Sequence, residues 1–168
     1  MTRHRVGIVG AGQLGRMLAL AAYPLGVSCT FLDRTSDSPG GQIGPIVLGA
    51  LDDPASLAKL AAASDVITLE IKNVAVAPLE ALEAGVPVYP PPAAIAAAQD
   101  RLHEKELFRT LGIPSAPFVA VASEEDLASA AETLGAPLVL KTRRLGYDGR
   151  GQRFVHDLAQ LSAAWTEL

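Results

Sequence analysis

The chain has 168 residues, 49% of them hydrophobic and 19% charged, with a net charge of −4 at neutral pH; that is enough for one generous domain, or one domain and part of a second, around a sizeable core. No run of Lys or Arg forms a basic stripe, which excludes nucleic acid as a general partner because counterion release needs clustered cations. The lone cysteine, Cys29, excludes an internal disulfide, and the apolar run at 6–9 is too short for a signal-peptide core or a membrane span. The expectation is therefore a soluble cytoplasmic protein with no membrane partner.

In chain order, residues 6–9 read as a strand buried on both faces and ending in glycines. A helix over 14–23 follows, ended by Pro24 and Gly26, and then a second strand over 27–32 that closes on Asp33. Residues 34–44 read as a polar, glycine-rich loop and 46–48 as a brief third strand. Asp52-Asp53-Pro54 has the signature of a helix start, with an acid at the cap and a proline in the first turn. That helix runs to about Ala63; a fourth strand covers 66–69, a helix 78–84, and a fifth extended piece 86–89.

Strands alternating with helices at this spacing define an α/β protein with a parallel sheet. Three consecutive prolines, Pro90 to Pro92, break the rhythm and place a boundary there, giving domains 1–92 and 93–168. Beyond it, 93–110 is helical with an interruption at Gln99-Asp100, where a new cap can begin. Residues 118–121 and 138–141 are strand candidates flanking a helix over 123–134, whose Ser123, Glu124, Glu125 and Asp126 supply a cap and first-turn acids. Residues 152–155 return as a strand, and 157–168 start as a helix.

Two glycine loops carry the chemistry. Gly10-Ala11-Gly12-Gln13-Leu14-Gly15 matches the dinucleotide fingerprint between strand and helix, and Asp33 sits where an acid would hold a ribose hydroxyl. Glycines permit the tight turn, and free amides at a helix N-terminus attract phosphate. From this loop alone a nicotinamide cofactor, another phosphorylated ligand and a purely structural packing role all remain open. The second loop follows the strand at 138–141. Lys141, Arg143, Arg144 and Arg150 fall within ten positions around Gly146, Gly149 and Gly151. Such a hairpin can fold over a triphosphate, amides and lysine sharing the charge, and the four cations would repel one another without an anion. It lacks the Gly-Lys-Ser/Thr ending of a P-loop. The histidines, His4, His103 and His156, are scattered, and no residues are assigned to metal.

The strings Gly12-Gln13-Leu14-Gly15-Arg16-Met17-Leu18, Tyr89-Pro90-Pro91-Pro92, Gln99-Asp100-Arg101-Leu102-His103-Glu104-Lys105 and Leu111-Gly112-Ile113-Pro114 are similar to the 5-(carboxyamino)imidazole ribonucleotide synthase family. So is Lys141-Thr142-Arg143-Arg144 running into Gly146-Tyr147-Asp148-Gly149-Arg150-Gly151-Gln152, the most specific piece. The resemblance extends from about Val6 to the last residue and outweighs the nicotinamide reading. It implies a Rossmann-like pre-ATP-grasp domain followed by the first part of an ATP-grasp domain. The reaction it implies is ATP-dependent carboxylation of 5-aminoimidazole ribonucleotide with bicarbonate, through carboxyphosphate, in purine biosynthesis. ATP and Mg2+ would be the cofactors, the full-length form would be a homodimer, and the magnesium ligands would lie C-terminal to Leu168.

By position, the resemblance implies that Arg101 and Lys141 contact ATP and that Gly146, Tyr147, Asp148, Gly149, Arg150, Gly151 and Gln152 form the loop over its phosphates. Asp148 and Arg150 would be catalytic, with Tyr147 beside the substrate amine. Gly12, Gln13 and Leu14 would lie near the ribonucleotide phosphate, and Glu70 and Asn73 would face the substrate. Two positions depart from the family: Lys72 stands where a second acid is usual, and Leu145 where a glycine is common, which disfavours a positive φ there. Family members also continue well past this length, so the 168 residues alone are not expected to turn over. The competing readings are a nicotinamide-binding module, a noncatalytic nucleotide-binding remnant or interaction domain, and a formate-using transformylase, against which the second glycine loop speaks.

Overall fold

The computed structural model describes residues 4–146 and 149–168. The chain forms two compact units, Met1–Ala96 and Ala97–Leu168, which meet inside a helix one turn beyond the prolines.

The first unit is a five-stranded parallel sheet of β1 (Arg5–Val9), β2 (Ser28–Asp33), β3 (Ile46–Leu48), β4 (Val66–Leu69) and β5 (Val88–Tyr89), in the order β3-β2-β1-β4-β5. Helices α1 (Gln13–Ala22), α2 (Pro54–Ala62) and α3 (Val76–Glu83) connect strands of this sheet. The pleat sends alternate residues of β1 and β2 to opposite faces. Val9 and its register partner Leu32 join Ile67 in a core with Leu57 and Leu60 of α2 and Leu79 of α3. Ile8 and its partner Phe31 pack with Ala19 of α1 in a second core. Both faces are thus covered, and the short continuous apolar runs are those of a parallel sheet buried on two sides.

Local chemistry sets the element ends. Asp53 accepts the Ser56 amide at 2.9 Å, and Pro54 opens α2 where its missing N–H is harmless. The fifth strand is shorter than the sequence suggests: Pro87 has no N–H for the ladder, so only its carbonyl takes part, accepting from Ile67 at 2.8 Å. The expected loop over 34–44 contains a turn of 3₁₀ helix at Pro39–Gln42.

The second unit contains the end of α4 (Pro92–Gln99), then α5 (Arg101–Thr110), α6 (Glu124–Leu134), β6 (Leu138–Lys141), β7 (Gln152–Val155) and α7 (Leu161–Thr166). A capping box of Ser123 and Asp126 starts α6, as its sequence predicts. β6 and β7 pair antiparallel from Leu138↔Val155 to Lys141↔Gln152. Their small core gathers Leu127, Ala131, Val155, Leu161 and Ala164. The expected strand at 118–121 is not formed: the segment is without regular structure, because an extended run becomes a strand only when a neighbour supplies a ladder. Phe118 instead lies beneath the Arg109 guanidinium, 5.8 Å from its ring centre.

Candidate functional site

The first glycine turn joins β1 to α1 at the carboxyl edge of the sheet, where open α/β sheets receive ligands. A helix N-terminus leaves its leading amides without intrahelical partners and concentrates partial positive charge there. Here a side chain answers that demand. Glu70, just past β4, accepts the Gly12 amide at 2.7 Å through Oε1 and the Gly15 amide through Oε2. Asp33, the last residue of β2, accepts the Ala11 amide at 2.8 Å and the Arg34 amide at 2.6 Å. The glycines make room for the acid: a β-carbon on Gly12 would lie 2.6 Å from Glu70 Oε1, and one on Gly15 2.7 Å from Oε2.

This arrangement counts against the nicotinamide reading. The Gly12 and Gly15 amides that a pyrophosphate would need already hold a carboxylate, and Asp33 is engaged by the backbone. The Gln13 and Leu14 amides keep no partner among the described residues, so they alone of this group stay open to an incoming anion. Asn73, with Asp33, Arg34 and Asp52, lines a cavity of about 260 Å³ beside the turn. Lys72, the position that departs from the family's acid, is exposed.

The second glycine loop connects β6 to β7, and its base is tightly held. Thr142 donates its amide to Gly151 O at 2.9 Å and its hydroxyl to Arg144 O at 3.1 Å. Arg101, the first residue of α5, donates its amide to Arg143 O at 2.9 Å, and its guanidinium donates to Thr142 O and to Gly146 O, the latter at 3.1 Å. A β-carbon on Gly146 would come within 2.6 Å of that guanidinium, so glycine is required here for close approach. Leu145 adopts φ 65°, the left-handed conformation that leucine disfavours and for which a glycine would be the ordinary choice.

Asp100 is the centre of this region. Only 1% exposed, it caps α5 by accepting the Leu102 and His103 amides at 3.0 and 3.4 Å. It also accepts Arg143 Nε and Nη2 at 3.1 and 2.7 Å and Arg144 Nε at 3.3 Å. Burial alone would raise its carboxyl; the Arg143 fork, the two amides and Arg144 outweigh that and hold it far below the ordinary carboxylate range. The anion demanded by the crowded cations is therefore supplied from within for Arg143 and Arg144, which corrects the inference that the whole cluster awaits a ligand. Lys141 remains exposed at the end of β6, with no ion pair among the described residues.

Of the residues expected in the site, the structure brings Gly12 and Glu70 together in one turn, with Gln13 and Leu14 opening α1 beside it, and gathers Arg101 and Gly146 at the hairpin base. Gly149, Arg150, Gly151 and Gln152 return the chain into β7. Tyr147 and Asp148 lie outside the described residues. Asp100 was legible only as a cap; nothing in its spacing announces arginine partners 43 and 44 positions away. Among the described residues no three His, Cys, Asp or Glu side chains gather as a metal site.

Fold and site together define an α/β protein of the pre-ATP-grasp class, a parallel-sheet domain followed by the beginning of an ATP-grasp domain. A family model described as the ribonucleotide synthetase preATP-grasp domain matches residues 3–99, and the ATP-grasp domain model matches 106–168. The chain belongs to the ribonucleotide synthetase pre-ATP-grasp family. It is 42% identical over 164 residues to the N5-carboxyaminoimidazole ribonucleotide synthase of Pseudomonas aeruginosa, covering 98% of this chain and 46% of that protein. It is 47% identical over 148 residues to the synthase of the same name from Brucella melitensis, covering 88% of this chain and 41% of the relative. Among solved structures, N5-carboxyaminoimidazole synthetase from Staphylococcus aureus complexed with ADP superposes with a TM-score of 0.93 at 35% identity, over 97% of this chain and 44% of that one. The Aspergillus clavatus synthase in complex with ADP and 5-aminoimidazole ribonucleotide gives a TM-score of 0.87 at 33% identity, over 97% and 43%. The chain thus spans a little under half the length of the relatives it matches.

Proposed function

We propose that this chain is the N-terminal part of an ATP-dependent ligase that carboxylates 5-aminoimidazole ribonucleotide with bicarbonate, in the cytoplasm. One observation carries the reading most directly: the hairpin after β6 is fixed at its base by Arg101, while Lys141 stays exposed beside it and makes no ion pair among the described residues. A glycine-rich turn held at its base, beside an exposed ammonium, is what a nucleotide's phosphates require.

In this reading bicarbonate oxygen attacks the γ-phosphorus of ATP, the bond to the β-bridging oxygen breaks, and ADP leaves with that electron pair. The exocyclic amine of the ribonucleotide then attacks the carbonyl carbon of carboxyphosphate, releasing phosphate and losing a proton. Lys141 and the amides of Gly146, Gly149 and Gly151 stabilise charge on the phosphoryl oxygens in flight. Arg150 and Asp148 act at the carboxylating centre, with Tyr147 beside the amine. The ribonucleotide phosphate meets the open amides of Gln13 and Leu14, while Glu70 and Asn73 receive its hydrogen-bond donors. Magnesium, held by other residues, would supply further neutralisation of the phosphates.

The finer partner assignments belong to the same proposal. Leu14, Met17 and Leu18 leave an exposed apolar stripe along α1, continued by Leu25 in the 3₁₀ turn that follows, which supports a homodimer. No helix of the described residues is long and apolar enough to cross a membrane, and the net charge of −4 gives nucleic acid little to bind. Titration calorimetry of the chain with Mg-ATP and with NADH tests the reading: ATP binding with NADH silent supports it, and tighter NADH binding overturns it. In the protein that carries the complete ATP-grasp domain, ADP release should require both bicarbonate and the aminoimidazole ribonucleotide.

A further inference from the structure

We propose that Asp100 is the positioning residue of the phosphate hairpin, a single buried carboxylate that both starts α5 and clamps the arginine pair at the hairpin's base. The inference rests on the nucleotide reading above for its function, though not for its geometry.

A cap needs little. Asparagine or serine satisfies the leading amides of a helix as well as aspartate does. Asp100 accepts five donors instead: Leu102 N, His103 N and Arg143 Nε through Oδ1, and Arg143 Nη2 and Arg144 Nε through Oδ2. Only an ionised carboxylate with both oxygens engaged can hold the cap and a guanidinium fork together. The next residue completes the grip, since Arg101 binds the carbonyls of Arg143, Thr142 and Gly146. Two adjacent residues therefore fix the hairpin's first arm by its side chains and its backbone at once.

The functional consequence is a separation of charges. Arg143 and Arg144 are drawn to Asp100, whose single negative charge offsets one of their two positive charges and holds both side chains in place, so that Lys141 meets phosphate without two flexible guanidinium groups competing for the same oxygens. Asp100 acts through the hairpin and touches no ligand itself.

The test uses D100N in the 168-residue chain, because asparagine keeps the cap and removes only the charge. The melting temperature at neutral pH should fall by several degrees, because the stabilisation that the ionised carboxylate draws from its arginines is lost, while the cap keeps the chain folded. Hydrogen exchange of the amides at 142–146 and 149–151 should accelerate at least about tenfold, and Mg-ATP affinity should fall about tenfold. D100E, which restores the charge on a longer stem, should recover part of both losses. R143Q/R144Q alters only half-exposed side chains, and it should loosen the same amides even if D100N were to unfold. Unchanged exchange and affinity in D100N and in the double variant would overturn the proposal and leave Asp100 as a helix cap. If wild type ignores ATP while D100N loosens the hairpin and D100E tightens it, the positioning role stands and the nucleotide reading falls.

Discussion

Glu70 and Gly15 lie 55 residues apart in sequence, yet the carboxylate of one caps the helix that contains the other. The acid at the end of β4 takes the place that a bound phosphate takes in many turns of this kind.

Removing that charge should loosen α1. E70Q keeps the shape but replaces an anion with a neutral dipole at a helix N-terminus, and we expect a loss of about 1–2 kcal/mol in urea unfolding. G15A should also destabilise: alanine gains about 1 kcal/mol in helix propensity, but its β-carbon would press on Glu70 and on Gly10 O at 3.1 Å. Overpacking of this kind costs about 1–3 kcal/mol, so a stabilised G15A would refute the tie.

Leu145 offers the opposite case. It is 74% exposed, so its side chain contributes little packing, while φ 65° places it in the left-handed region. That conformation costs a non-glycine residue about 1–2 kcal/mol, and glycine's extra freedom in the unfolded chain costs about 0.5–1 kcal/mol. L145G should therefore raise stability by about 0.5–1 kcal/mol, measured by chemical denaturation.

Acid should unfold the protein in a way that Asp100 helps to set. Several carboxyls are held below their ordinary values: Asp65 by Arg5, Asp53 by the Ser56 hydroxyl and amide, and Asp100 by its arginines and cap amides against the opposing effect of burial. A depressed folded value means that the unfolded chain takes up protons first. Stability is then complete above the unfolded carboxyl range, near pH 4, and falls as pH drops toward the folded values. Thermal melts between pH 7 and pH 2 should show a flat top and a falling acid limb, and D100N should make that limb shallower.

Lys141 should separate binding from stability. Its side chain is exposed and makes no ion pair among the described residues, so K141M should leave the melting temperature unchanged. Mg-ATP affinity should fall at least about tenfold if the ammonium meets phosphate. Equal affinity in K141M and wild type would remove the lysine from the site.

Much of the fold was legible because short-range signals sufficed. The parallel strands show as apolar runs ending in glycine or acid, and Asp53-Pro54 and Ser123 announce their helices through local hydrogen bonds. The segment at 118–121 misled because strand propensity says nothing of whether a neighbour is present. The two carboxylate ties were hidden for a related reason. Glu70 reaches amides 55 and 58 positions earlier and Asp100 reaches guanidiniums 43 and 44 later, and neither distance leaves a periodic trace. A sequence shows that cations crowd together; only the folded chain shows which of them are already answered.

The contact between Arg101 and Gly146 binds two distant positions into one inheritance. With 2.6 Å between the guanidinium and any β-carbon at 146, a side chain there evicts the arginine, and the hairpin loses its hold on α5. Because the same β-carbon would lie 2.7 Å from Arg150 O, shrinking residue 101 would not make room, so the arginine, 45 residues away, keeps its place only while 146 stays glycine.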